Sequence, residues 1–128
     1  LSYATAGHSG ACQQATTGDS RWLASASLPL GFDPASTFES ARTQLQPHDR
    51  LYLLSDGIYE APSTTGELWG KPRLQATLEE HRSSGLVHSI TETMAIAHQW
   101  LGGDIFPDDV ALLGLEIQDR STAHKGRA

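Results

Sequence analysis

The chain has 128 residues, 38% of them hydrophobic, and carries 9 Lys+Arg against 15 Asp+Glu for a formal charge of −6 with His neutral. That is apolar material for one domain or a large part of one, and it excludes a disordered tail. An acidic balance with no Lys/Arg run argues against nucleic acid or an anionic membrane as partner, and no apolar stretch approaches the roughly 20 residues that cross a bilayer.

Leu1 is not a start methionine, and residues 1–5 read as a strand in progress, so the chain is expected to be a fragment of a longer protein. Short apolar runs follow at residues 11–15, 21–24, 37–45 and 50–54, separated by Gly18-Asp19, Pro29, Gly31, Pro34 and Pro47-His48-Asp49. This spacing predicts a meander of antiparallel strands. From residue 66 to 101 the period changes: Leu74 and Leu78 are four apart, and Leu86, Ile90, Met94, Ala97 and Leu101 continue at steps of three and four. Two amphipathic helices are predicted, broken at Ser83-Ser84-Gly85, with Pro72 in the first turn of one and Gly102-Gly103 ending the other in left-handed backbone. Residues 110–117 return to a strand pattern and residues 118–128 read as a frayed tail, so the fold class is α+β. The single cysteine, Cys12, cannot form an internal disulfide and fits a reducing, cytoplasmic setting as a small buried hydrophobe.

The chemistry concentrates at two strand ends. The apolar run Leu51-Tyr52-Leu53-Leu54 delivers Ser55-Asp56-Gly57 to solvent, a carboxylate beside a residue that permits a sharp turn. The second end is Asp108-Asp109-Val110, two adjacent acids that repel one another just before a buried strand. Neighbouring strand ends can bring Asp56 and Asp108 together across 52 positions of sequence, and hard divalent ions such as Mg²⁺ or Mn²⁺ take oxygen ligands of this kind. Either motif alone is also what an ordinary turn or an Asp-rich loop would show.

Residues 1–8 (Leu-Ser-Tyr-Ala-Thr-Ala-Gly-His), Leu28-Pro29-Leu30-Gly31, Pro47-His48-Asp49-Arg50-Leu51, residues 54–61 around Asp56, Gly66-Glu67 with Gly70, and residues 108–113 form an ordered array. It resembles the C-terminal half of SpoIIE-like phosphatases, the bacterial branch of the PPM metal-dependent serine/threonine protein phosphatases. The resemblance implies part of an αββα sandwich over residues 1–117 and a site for two Mn²⁺ or Mg²⁺ ions, with a metal-held water attacking the phosphorus of phosphoserine or phosphothreonine in line. It assigns Asp56 and Asp108 as metal ligands, Asp109 as a supporting acid, and Gly57 as the residue that lets the loop approach the metals. It further implies a phosphoprotein substrate of the anti-sigma-factor-antagonist type and an upstream receiver or sensor domain.

The family's earlier Gly-Asp block, which supplies the carboxylate bridging both metals, is not in this chain, and Gly18-Asp19 reads as a hairpin connection instead. The chain alone is therefore expected to be inactive. His8 is a candidate for facing the phosphate, and Arg21 and Arg50 are the best cations for contacting a phosphoprotein. His81, His88 and His98 are expected to face solvent, Trp69 and Trp100 to pack on the sheet from helices, and Trp22 to lie in a strand. Two alternatives stay open. A haloacid-dehalogenase-like phosphatase would need a second Asp where Ile58 stands; a non-catalytic interaction module would bind a partner, or pair with a second copy, through exposed strand edges.

Overall fold

The computed structural model describes residues 1–25 and 27–119. In chain order its elements are β1 (Ser2–Tyr3), β2 (Ala11–Gln14), β3 (Ser20–Leu23), β4 (Ala41–Arg42), β5 (Arg50–Leu54), a single 3-10 turn at Asp56–Ile58, α1 (Gly70–Glu80), α2 (Leu86–Leu101) and β6 (Leu112–Glu116). Four strands form an antiparallel sheet in the order β3-β2-β5-β6, and β1 pairs with β4 beside it. The expected α+β pattern of strands, two helices and a final strand is present, with its helix break at Ser83-Ser84-Gly85.

Strand alternation sends Cys12, Tyr52 and Leu54 to one face, where they meet Leu74 and Leu78 of α1 and Ala97 of α2 in the core. Polar anchors tie the helices to that face: Gln14 Nε2 donates to the Leu78 carbonyl at 2.8 Å, and the Tyr52 and Ser89 hydroxyls lie 3.2 Å apart. Gly114 faces the same way, and a Cβ there would come within 2.8 Å of the Ile90 side chain, so the missing side chain lets α2 lie close on β6. The innermost stripe of α2 is Ser89, Thr93 and Ala97, smaller and more polar than its leucines suggest.

The opposite face is open. Leu53, Leu113 and Leu115 are 40%, 57% and 46% exposed, and a cavity of about 490 Å³ separates that face from residues 1–6. The strand predicted at residues 110–117 is therefore half-covered along its length.

Several expectations need correction. The strand expected over residues 37–45 exists only as the two residues of β4, because its partner β1 is itself two residues long and the ladder ends there. The first helix starts at Gly70, and of Gly102-Gly103 only Gly102 is left-handed. Arg50 is 3% exposed and donates to Glu116 at 2.8 Å and to the Ser84 carbonyl at 2.6 Å, so it is a structural cation that cannot reach a partner. Arg21 donates to Gln13 and Thr43 and sits in register with Leu51, five residues before Asp56 and roughly 16 Å short of it along the sheet. Trp69 immediately precedes α1 and is buried in the core with Cys12, Tyr52 and Leu54, while Trp100 borders that core from α2 and donates to the carbonyls of Ala61 and Glu67. His88 is exposed as expected, whereas His81 and His98 are half-buried, His98 resting against Phe106 with ring centroids 4.8 Å apart and His81 Nδ1 lying 2.9 Å from the Thr77 carbonyl. Residues 120–128 of the expected tail lie outside the described residues.

Cys12 is fully buried, and burial, with Glu79 adding to it, pushes its thiol up to about 12. The native chain is accordingly expected to resist iodoacetamide at about pH 8 and to react once denatured. Equal labelling rates in the two states would show that the sheet–helix seam opens readily.

Candidate functional site

The site is built by the shared end of β5 and β6. Beyond the last ladder pair, Leu54 and Leu112, the Ser55 N–H donates to the Ala111 carbonyl at 3.0 Å, which carries the pairing one step further. The Ser55 hydroxyl then donates to the Asp109 carbonyl at 2.9 Å while accepting from the Ala111 N–H at 2.8 Å. One hydroxyl thus stitches the residue before Asp56 to the chain on both sides of Val110.

The 3-10 turn follows, its Asp56 carbonyl accepting from the N–H groups of Tyr59 and Glu60. Gly57 is buried in it, and a Cβ at that position would stand 2.5 Å from the Asp109 carbonyl oxygen and 3.3 Å from the Asp108 carbonyl carbon. Only a glycine allows the two acidic loops to touch in this way. The close approach that Gly57 makes is to the backbone of Asp108 and Asp109. On the other side, Phe106 packs on His98 and holds the acidic loop against α2.

Asp56, Asp108 and Asp109 are all exposed. No hydrogen bond or ion pair among the described residues engages the Asp56 carboxylate, and Asp108 Oδ1 accepts only from the neighbouring Asp109 N–H at 2.8 Å. Two open carboxylates carried by abutting loops are of the ligand type that a hard divalent cation takes. They fall short in number: among the described residues no group of three His, Cys, Asp or Glu side chains could hold a metal ion.

Beside the acids lies a cavity of about 660 Å³, lined by His8, Ser9, Asp56, Tyr59, Glu60 and Lys71 among others. His8 Nδ1 accepts from the Gly10 N–H at 3.1 Å, which leaves Nε2 as the protonated nitrogen of the neutral ring. Lys71 escaped the reading of the sequence. Its signal was available, since it is one of two lysines in the chain and follows Gly70, but nothing local says that the start of α1 returns to Asp56.

This layering, an antiparallel sheet with two helices on one face, matches part of the fold of PPM-type phosphatase domains. It is shared with the RsbU and RsbW domains of Rv1364c from Mycobacterium tuberculosis (TM-score 0.75, 21% identity, 91% of this chain and 32% of that one). The phosphatase domain of SpoIIE from Bacillus subtilis, in a Mn-presoaked form, is similar as well (TM-score 0.70, 18% identity, 92% of this chain and 50% of that one). Residues 1–118 match the family model described as stage II sporulation protein E, and the chain belongs to this SpoIIE family. Protein IcfG of Synechocystis sp. is 30% identical over 116 residues, which are 90% of this chain and 18% of that protein. The chain thus spans about a fifth of its curated relative and a third to a half of these solved neighbours. No described helix is long and apolar enough to cross a membrane.

Proposed function

We propose that this chain is the C-terminal part of a metal-dependent phosphatase domain acting on phosphoserine or phosphothreonine of a regulatory protein in the bacterial cytoplasm, with Asp56 and Asp108 as ligands for Mn²⁺ or Mg²⁺. The single observation that supports the reading is the contact of Gly57 with the Asp108-Asp109 backbone, because it brings the chain beside Asp56 against the chain that carries Asp108. A bound divalent ion would supply a water of lowered pKa and screen the charge of the phosphate. The chain's own residues do the rest: Asp56 and Asp108 offer oxygens, Ser55 and the Asp109 carbonyl fix the spacing between them, and the adjoining cavity receives the phosphorylated side chain. The remaining oxygen donors, an upstream receiver or sensor domain and a substrate of the anti-sigma-factor-antagonist type belong to the longer protein in this reading.

Two outcomes test it. The isolated chain should bind Mn²⁺ weakly and hydrolyse p-nitrophenyl phosphate negligibly. In the longer parent, Asp56→Asn should lower turnover by roughly a hundredfold or more while thermal unfolding is unchanged. Parent-like turnover by that variant would remove Asp56 from the site.

A second reading, a non-catalytic module that pairs with another copy or a partner, is favoured by the exposed Leu53, Leu113 and Leu115. Concentration-dependent association of the isolated chain, together with absent activity in the longer parent, would favour it.

A further inference from the structure

We propose that Lys71 is the residue that grips the phosphoryl group of the substrate, an inference that rests on the functional reading above and names a residue no acid motif points to. Two backbone hydrogen bonds fix where it stands. The Trp69 N–H donates to the Ala61 carbonyl at 2.9 Å, and the Gly70 N–H donates to the Tyr59 carbonyl at 2.7 Å. These bind the start of α1 to the segment that leaves Asp56, so Lys71 and Asp56 line one cavity. Gly70 makes the turn with φ +81, and Lys71 follows at the point where the chain enters the helix.

The side chain is held without being neutralised. Its Nζ lies 4.6 Å from the Trp22 ring centroid and 5.2 Å from that of Tyr59, so two aromatic faces support the ammonium while leaving its charge intact. It donates one hydrogen bond, to the Ser9 carbonyl at 3.2 Å, and no carboxylate among the described residues lies within ion-pair distance of it. An ammonium has three protons, so two remain for a ligand. A phosphate monoester, with its doubly negative oxygens, is the ligand class that answers a positioned, half-buried cation next to a divalent-metal rim. His8, whose Nδ1 is taken up by the Gly10 N–H, lines the same cavity and can offer Nε2 as a second donor.

The chain contains two lysines, Lys71 and Lys125, which makes the test direct. Lysine side-chain NMR of the full 128-residue chain would be followed while O-phosphoserine is added in excess Mg²⁺, with serine as the uncharged comparison. The Lys71 Cε signal should shift with O-phosphoserine, remain still with serine, and leave Lys125 unaffected. Lys71→Ala should weaken binding about tenfold, as expected for one charge-assisted hydrogen bond, and Lys71→Arg should restore most of it. Lys71→Met retains the stem over Trp22 and should behave like Lys71→Ala, which separates charge from packing. An unmoved Lys71 signal, or equal affinity in Lys71→Met, would overturn the assignment. Failure of the metal reading registers elsewhere, as an absence of Mn²⁺ line broadening at the Asp56 and Asp108 amides in wild type and variants alike.

Discussion

Gly57→Ala is expected to destabilise the chain by about 2–3 kcal/mol and lower its melting temperature by roughly 10 °C. The new methyl would sit 2.5 Å from the Asp109 carbonyl oxygen and 3.1 Å from its carbonyl carbon, both backbone atoms that cannot rotate away. Relief requires the acidic loop to retreat, which would stretch the Ser55 hydrogen bonds to Asp109 and Ala111 and draw Asp108 off the rim. Gly103→Ala is the control, because nothing lies within 4 Å of its Cβ position and its φ is not left-handed, so it should remain within about 0.5 kcal/mol of wild type. Equal stability of the two variants by thermal circular dichroism would mean that the loops are not in contact.

The second large effect is expected at Asp49, an acid with the opposite character. It is 3% exposed; its Oδ1 accepts from the Thr16 N–H and hydroxyl, and its Oδ2 from the Gln46 N–H and Gln13 Nε2. Burial pushes the carboxyl up, but the donors of Gln46, Thr16 and Gln13 outweigh it and bring the group below its ordinary value. Asp49→Ala strands two backbone N–H groups and should cost about 3 kcal/mol near neutral pH. Because the folded-state pKa is depressed, this contribution is complete above the unfolded value, about 3.9, and is lost as pH falls through the folded one. The gap between wild type and Asp49→Asn in urea denaturation should therefore be widest near pH 7 and narrow below about pH 4. A gap of constant width would show that the ionised form is not the one being stabilised.

Asp49 and Asp56 stand at opposite ends of β5; Gly57 marks Asp56 out in the sequence, but nothing local says that Asp49 is saturated. The distinction is made by surroundings: four donors converge on Asp49, and none reaches Asp56. The same holds for the cations. Arg50 and Arg21, the cations the sequence offered for a phosphoprotein, are both spent on internal partners, whereas Lys71 retains donors free beside Asp56. Residues 41–42 illustrate the limit for secondary structure, since a run of nine residues between turn signals yields two residues of strand when the partner offers no longer edge.

The sequence by itself determined the elements whose signals are local. The apolar run of β5 ending in Asp56-Gly57, the stripes of α1 and α2, the Gly85 break and the left-handed stop at Gly102 each follow from periodicity or from one residue's backbone freedom. Order and spacing of short blocks were also enough to indicate the family. Tertiary structure alone decided which acid is saturated and which is open, that the Gly57 turn presses on Asp109, and that Lys71 shares a cavity with Asp56. Those outcomes depend on contacts between residues tens of positions apart, whose energies exist only once the sheet register and helix packing have set the distances.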